Sequence, residues 1–202
     1  MERNSFNPKN NNVRGAALLR EDLTHRLCHA LFEEWVLVGY EGISLSNVAS
    51  RAGAGKAAIY RRWPAKKEFA CFAIEHAGID LTEFKNLGSL EADVMAYLKQ
   101  TRRVLSHRLI RVILPDINAE RLRSGDLELA VENLVEFRRN QGRALIERAI
   151  KRNELREGLN FELALDIIPS SLYWRMIVLG KSISREELKT QAKAIIAALK
   201  VL

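Results

Sequence analysis

Six basic side chains, Arg51, Lys56, Arg61, Arg62, Lys66 and Lys67, fall within the 24 residues from Ser44 to Lys67, a stretch that holds no Asp or Glu. Cations at that density suit one chemistry above others, the attraction of a polyanion. Apolar residues at helical spacing run beneath them, so the charge sits on a small unit with its own core. Such a unit points to nucleic acid. A second cluster, His25, Cys28 and His29, lies within one helical turn and could bring three metal-ligating atoms together. No fourth ligand is signalled nearby, and a cysteine beside an apolar stripe usually packs. Carboxylate pairs such as Glu33 with Glu34, and Glu186 with Glu187, are adjacent on helices, diverge by about 100° and read as solvated faces. The chain has no G-x-S-x-G, Walker A, G-x-G-x-x-G, C-x-x-C or H-E-x-x-H motif. We expect no enzyme and no cofactor.

Two short helices and a tight turn position the basic side chains. Ser44 is placed to cap the first, its hydroxyl accepting from a free amide, with Leu45, Val48, Ala49 and Ala52 following on one face. Gly53 stops this helix by taking a positive φ without a Cβ clash. After Ala54, a second helix runs from Lys56 to about Trp63 and ends before Pro64, which disfavours helical backbone in the preceding residue. Ile59 and Trp63 form its inner face; Lys56, Ala57, Tyr60 and Arg61 form its outer face. This is a helix-turn-helix whose second helix fits a major groove about 12 Å wide.

The run from Ile43 to Phe69 resembles the DNA-binding region of TetR-family transcriptional regulators. The resemblance rests on Ser44 opening a helix, the Val48–Ala49 pair, Ala52–Gly53, the Ile59–Tyr60 pair, the aromatic Trp63 and Lys66, with IYRRWPAK especially close to one common version. It implies roles for individual residues. Lys56, Ala57 and Arg61 face the bases, and an arginine there can grip guanine O6 and N7. Ser44, Tyr60, Arg62 and Lys66 match positions that usually touch the DNA backbone, where contacts position the head and leave base contacts to select the sequence.

Two positions depart from the family pattern. Gly55 stands where a Ser or Thr usually caps the recognition helix, at a cost of a few tenths of ~1 kcal/mol. Ala65 stands where Ser, Asn or Asp usually opens the next helix, at a cost of about 1 kcal/mol, and Lys67 replaces a usual acid. A DNA phosphate would complete that poorly capped start, because free amides and the positive dipole end attract an anion.

The chain of 202 residues is 48% hydrophobic, ample for a core, and carries a net charge of +7. Residues 1–70 hold 11 basic and 7 acidic groups, net +4, against net +3 for the remaining 132. Cys28 and Cys71 make no disulfide framework, and neither a signal peptide nor an apolar run long enough to span a bilayer is present. We therefore expect a cytoplasmic protein with no membrane partner.

Three regions follow in order. Residues 1–15 are polar and Asn-rich, and read as a disordered arm in which Arg3, Lys9 and Arg14 could reach DNA. Residues 16–77 form the DNA-binding domain. Its first helix runs from about Ala17 to Val38 with a Leu23, Leu27, Leu31, Trp35, Val38 stripe, closed by Gly39 and Gly42. Its fourth runs from Lys66 to about Ala77 with Phe69, Phe72 and Ala73 inward. Residues 78–202 form a helical regulatory and dimerisation domain after an irregular Gly78–Ser89 segment. Leu90, Val94, Tyr97, Thr101 and Leu105 mark one helix; Leu109 to Leu122 a second, broken or kinked at Pro115. Leu127, Ala130, Leu134, Phe137, Leu145 and Ala149 mark a third. Phe161 to Leu179 is apolar over much of its circumference and must be buried on most sides. Ser184 and Glu187 form a capping-box pattern opening a last helix with Leu188, Ala192, Ile195 and Leu199 as its stripe. No alternating strand pattern occurs. The whole reads as all-α, about nine helices.

The resemblance implies a homodimer joined through the last two helices, with two heads on successive major grooves of palindromic double-stranded DNA. It also implies an unidentified small-molecule effector that enters the C-terminal domain and most often relieves repression. Tyr97, Phe137 and Trp174 are candidate pocket aromatics, and Arg102, Arg103 or Arg175 candidate anion partners, beside the simpler reading that they are ordinary core and surface. Two other readings stay open: a basic helical interaction protein without operator recognition, and a His/Cys metal protein.

Overall fold

A computed structural model describes residues 9–79 and 85–202, with side chains described over 21–76 and 85–202. Nine α-helices and no strand occur among the described residues. The chain forms two compact units, Met1–Ala73 and Ile74–Leu202, which part slightly before the division expected at 77/78.

In the first unit, α1 spans Lys9–Gly42 and breaks at Gly39, whose φ of 71° leaves helical space. The expectation that residues 1–15 form a disordered arm is corrected over 9–15, which are helical; 1–8 lie outside the described residues. Once Ala16 to Leu19 nucleate a helix, each further residue adds a hydrogen bond, so propagation reaches back into the polar stretch. The expected stripe buries Leu27, Leu31 and Trp35, but Val38 is exposed and Tyr40 is buried in its place. The break at Gly39 shifts the helical phase and brings Tyr40 to the buried side, where its ring packs 5.1 Å from that of Trp35.

Helix α2, Leu45–Arg51, buries Leu45, Val48 and Ala49. Its end is a Schellman motif: the Gly53 amide donates to Ser50 O (3.1 Å) and the Ala54 amide to Ala49 O (2.9 Å). Gly53 sits at φ 64°, the left-handed conformation that the motif requires and that a Cβ disfavours. Helix α3, Lys56–Tyr60, continues as turns to Trp63, so the regular helix is shorter than expected. Helix α4 spans Lys66–Ile79. Trp63 stacks on Phe69 at 4.1 Å and meets Phe72 at 5.0 Å, making the indole core rather than surface.

The second unit contains α5 (Leu90–Leu105), α6 (Arg108–Arg123), α7 (Glu128–Lys151), α8 (Phe161–Tyr173) and α9 (Arg185–Val201), with a π-helical turn at Trp174–Val178. One core unites Val94, Tyr97 and Leu98 of α5 with Leu145 and Ile146 of α7, Ile168 and Leu172 of α8, and Ile195 of α9. Pro115 does not break α6, which runs through it. Ser184 and Glu187 form the expected capping box at the start of α9. The start of α5 is tied to the end of α7 by charge: buried Asp93 accepts from Leu87 N (2.8 Å) and Arg152 Nη2 (3.0 Å). Glu154 accepts from Leu90 N (2.8 Å) and Arg152 Nε (2.8 Å). Burying Asp93 is tolerable because every charge there meets a partner.

Trp174 is 59% exposed, which removes it from the candidate pocket aromatics. It lies two residues from both Leu172 and Met176, the buried side of the helix, and so points away from them. Tyr97 is buried and Phe137 half-buried. Of the candidate anion partners, Arg103 is exposed, Arg102 donates to Ile183 O (3.4 Å), and Arg175 donates to Ser182 O and pairs with Glu187. Among the described residues no helix is long and apolar enough to cross a membrane.

Candidate nucleic-acid interface

Helix α3 is held from beneath by Ile59, which is fully buried, so the opposite side must face outward. Lys56, Ala57, Tyr60 and Arg61 are all exposed there, Tyr60 by 42%. The Lys56 ammonium sits 5.5 Å from the centre of the Tyr60 ring, an i,i+4 cation–π contact that orders both side chains on this face. No side-chain cap closes the start of α3 at Gly55, as the sequence implies.

The other three expected contact residues have partners within the protein. Ser44 caps α2, its hydroxyl accepting from Asn47 N at 3.5 Å. Arg62 Nη1 donates to Thr24 Oγ1 at 2.9 Å, tying the end of α3 to α1. Lys66 is engaged most fully: its ammonium donates to Tyr40 O (3.1 Å), Glu41 O (3.2 Å) and Glu41 Oε2 (3.0 Å), and lies 4.4 Å from the centre of the Tyr40 ring. It satisfies carbonyls at the end of α1 and complements the negative dipole end there.

The basic cluster is thus divided in function. Arg51 pairs with Glu34 at 3.1 Å, and Asn47 Nδ2 donates to the same carboxylate at 2.9 Å. Glu34 is only 3% exposed, which corrects its reading as part of a solvated carboxylate pair. A lone buried carboxylate would be costly, and α2 supplies both partners that make it acceptable. Lys56 and Arg61 remain on the outward face with Tyr60 between them.

The His25, Cys28 and His29 cluster does not assemble. Cys28 points into the core, where burial pushes its thiol pKa up to about 12, while His25 and His29 are exposed and His29 Nδ1 lies 3.6 Å from Glu33 Oε1. Among the described residues no group of three His, Cys, Asp or Glu side chains could hold a metal ion.

Thr24, Glu34, Tyr40 and Glu41, which position the head, escaped sequence reasoning. Their partners lie 38, 17, 26 and 25 residues away respectively, with no periodic signal linking them.

Comparison with known proteins agrees with this architecture. Residues 27–70 match the model for bacterial regulatory proteins of the tetR family, and residues 84–195, more than half of the chain, match the tetracyclin repressor-like C-terminal domain. The uncharacterized HTH-type transcriptional regulator YdeS of Bacillus subtilis is 28% identical over 169 residues, covering 82% of this chain and 84% of YdeS. An uncharacterized HTH-type regulator of Mycobacterium tuberculosis, Rv1556, is 25% identical over 69% of each chain. Among solved structures, Salmonella enterica GusR superposes with a TM-score of 0.70 at 19% identity, covering 89% of this chain and 94% of GusR. FadR from Bacillus subtilis in complex with stearoyl-CoA superposes with a TM-score of 0.67 at 15% identity, covering 87% and 97%. Both halves of the chain carry the family's sequence pattern, and the protein belongs to the TetR family of transcriptional regulators.

Proposed function

We propose that this protein is a ligand-released repressor that binds a palindromic operator as a homodimer in the cytoplasm, and that it is not an enzyme. The outward face of α3 carries the reading: Lys56, Ala57, Tyr60 and Arg61 are exposed together above buried Ile59. Arg61 is the principal base contact, bidentate to guanine, with Lys56 and Ala57 beside it. Tyr60 contacts backbone phosphate. Ser44, Arg62 and Lys66 act at the edge of the interface, reaching phosphate from positions where their side chains also brace the head.

Dimerisation is supported by the outer faces of α8 and α9. Leu163 of α8, Trp174 and Val178 of the π-helical turn after it, and Val201 of α9 are exposed, and Ile167, Ser170, Gln191, Ala194, Ile195 and Ala198 line a shallow groove of about 190 Å³. Exposed apolar residues concentrated on one face mark an association surface. A two-fold dimer sets its reading heads about 34 Å apart, or a multiple of that, and so matches a palindrome.

Effector control follows from population shift. The ligand must prefer the DNA-incompetent arrangement, by about 5.5 kcal/mol to invert a 99:1 population. The similarity to FadR, a regulator solved with stearoyl-CoA, supports a small-molecule effector for this chain.

Selection of the purified protein against randomised duplex DNA tests the reading. The expected product is a palindrome bound with an affinity that falls steeply as salt rises. Arg61→Ala should cost about 1–3 kcal/mol and relax preference at one position of each half-site. Recovery of no motif, or one insensitive to both Arg61→Ala and Tyr60→Ala, would refute operator recognition.

A further inference from the structure

We propose that Arg138 and Gln141 of α7, with Tyr97 and Thr101 of α5, form the polar end of the effector site, and that the effector is an organic acid whose carboxylate binds Arg138. This rests on the ligand-released reading above and names the chemistry of its ligand.

The four residues come from two facing helices. Tyr97 and Thr101 are four apart on α5, and Arg138 and Gln141 three apart on α7, so each pair shares one helix face. The faces meet: Arg138 Nη2 donates to Thr101 Oγ1 at 2.8 Å, and the guanidinium carbon lies 5.3 Å from the centre of the Tyr97 ring. Tyr97 and Thr101 are buried, and Gln141 is only 8% exposed.

Among the described residues, Gln141 alone leaves both ends of a buried side-chain amide unpaired, and an unpaired arginine nitrogen lies three residues from it. Arg138 Nη1 is buried and donates to no protein group, and no protein group meets either the oxygen or the nitrogen of the Gln141 amide. Arg138 also has no carboxylate within ion-pair distance among the described residues. Several other arginines of the same unit do: Arg148 and Arg152 face Asp93, Arg139 faces Glu162 and Asp166, and Arg175 faces Glu187. Native structures satisfy the great majority of buried polar groups, and exceptions concentrate at functional sites. A half-buried cation without a counter-charge, three residues from an amide with both ends unused, calls for a ligand that is anionic and accepts hydrogen bonds.

The single positive charge sets the class. One guanidinium with one inward nitrogen matches a monoanion, and a planar carboxylate can take Arg138 Nη1 on one oxygen and the Gln141 amide nitrogen on the other. The Gln141 oxygen then selects a donor elsewhere on the ligand. Burial keeps the Tyr97 hydroxyl protonated by raising its pKa, against an opposing pull from Arg138, so it adds no second negative charge. Tyr97 belongs to the apolar core with Leu98, Leu145, Ile168 and Leu172, which favours an apolar body behind the acid.

The test is thermal unfolding of the full-length protein with hexanoate, octanoate, dodecanoate, benzoate and phenylacetate, each paired with its neutral primary amide. At least one acid should raise the melting temperature by roughly 5 °C when present at about 100 times its Kd, and its amide should not. Arg138→Gln should abolish the shift, and Gln141→Leu should weaken binding at least tenfold, with helix content and DNA binding of both variants checked alongside. If Arg138→Gln does not fold, Gln141→Leu and Thr101→Val carry the comparison. The proposal is overturned if no acid exceeds its amide, or if the shift survives in the variants. Release from DNA separates the two readings. An acid that binds through Arg138 without weakening operator binding leaves the site standing and refutes ligand release; a neutral compound that releases DNA while no acid binds does the reverse.

Discussion

Glu34 and Arg51 are joined at 3.1 Å across α1 and α2, with side-chain exposures of 4% and 38%, so the carboxylate is buried and the guanidinium reaches solvent. Arg51 is therefore a brace of the reading head. Arg51→Ala leaves Glu34 buried with Asn47 as its remaining partner, and should destabilise the protein by about 2 kcal/mol, between the values for exposed and fully buried pairs. Glu34→Gln retains an acceptor for Asn47 and should cost less. Urea denaturation of the full chain checks the order; equal losses would mean that the charge is immaterial.

The start of α4 offers a stabilising substitution. Ala65 is exposed and precedes a helix whose first turn carries Glu68 as its acid. Ala65→Ser should raise stability by about 1 kcal/mol by supplying the missing cap, while Ala65→Val should not. Thermal unfolding of the two variants side by side decides it, and an equal response would show that the helix start is already satisfied.

Cys28 should be chemically silent in the native protein. Its thiol, pushed up to about 12 by burial, holds almost no thiolate near neutral pH, and thiolate is the reactive form. Mass spectrometry after iodoacetamide treatment should find Cys71, which is half-buried, modified well before Cys28, with Cys28 reacting only on unfolding. Fast native labelling of Cys28 would contradict the packing of α1.

The capping box of α9 should make part of the stability pH-dependent. Hydrogen bonds from the Ser184 backbone amide, and then the Ser184 side chain, hold the Glu187 carboxyl below its ordinary 4.5. A depressed folded pKa contributes stability above the unfolded value that is lost as pH falls through the folded one. The melting-temperature gap between the wild type and Glu187→Gln should therefore be widest near neutral pH and close as the pH drops well below 4.5. A gap independent of pH would mean that Glu187 acts through packing alone.

The elements legible in the sequence were those whose cause is local. Ser44, Gly53 and Ser184 act within a few residues of themselves, so capping chemistry and the positive φ at Gly53 could be read directly. Leu45, Val48 and Ala49, and later Leu188, Ala192, Ile195 and Leu199, declare their buried faces through helical period alone. The outward set Lys56, Ala57, Tyr60 and Arg61 follows from the same geometry, once Ile59 is known to be inside.

What tertiary structure decided was the partner of each polar group. Arg51 and Lys66 look like the other cations of the cluster, yet one answers buried Glu34 and the other the carbonyls closing α1. Trp174 looks like core until the buried side of its helix is placed at Leu172 and Met176. Arg138 carries no sequence signal that sets it apart from Arg139, its neighbour with two carboxylates. Period and capping are properties of one segment, whereas a charge is satisfied by whatever the fold brings to it from tens of residues away. The sequence by itself therefore determined the helices and their inner faces; packing decided which of the charged residues brace the protein and which remain to meet something else.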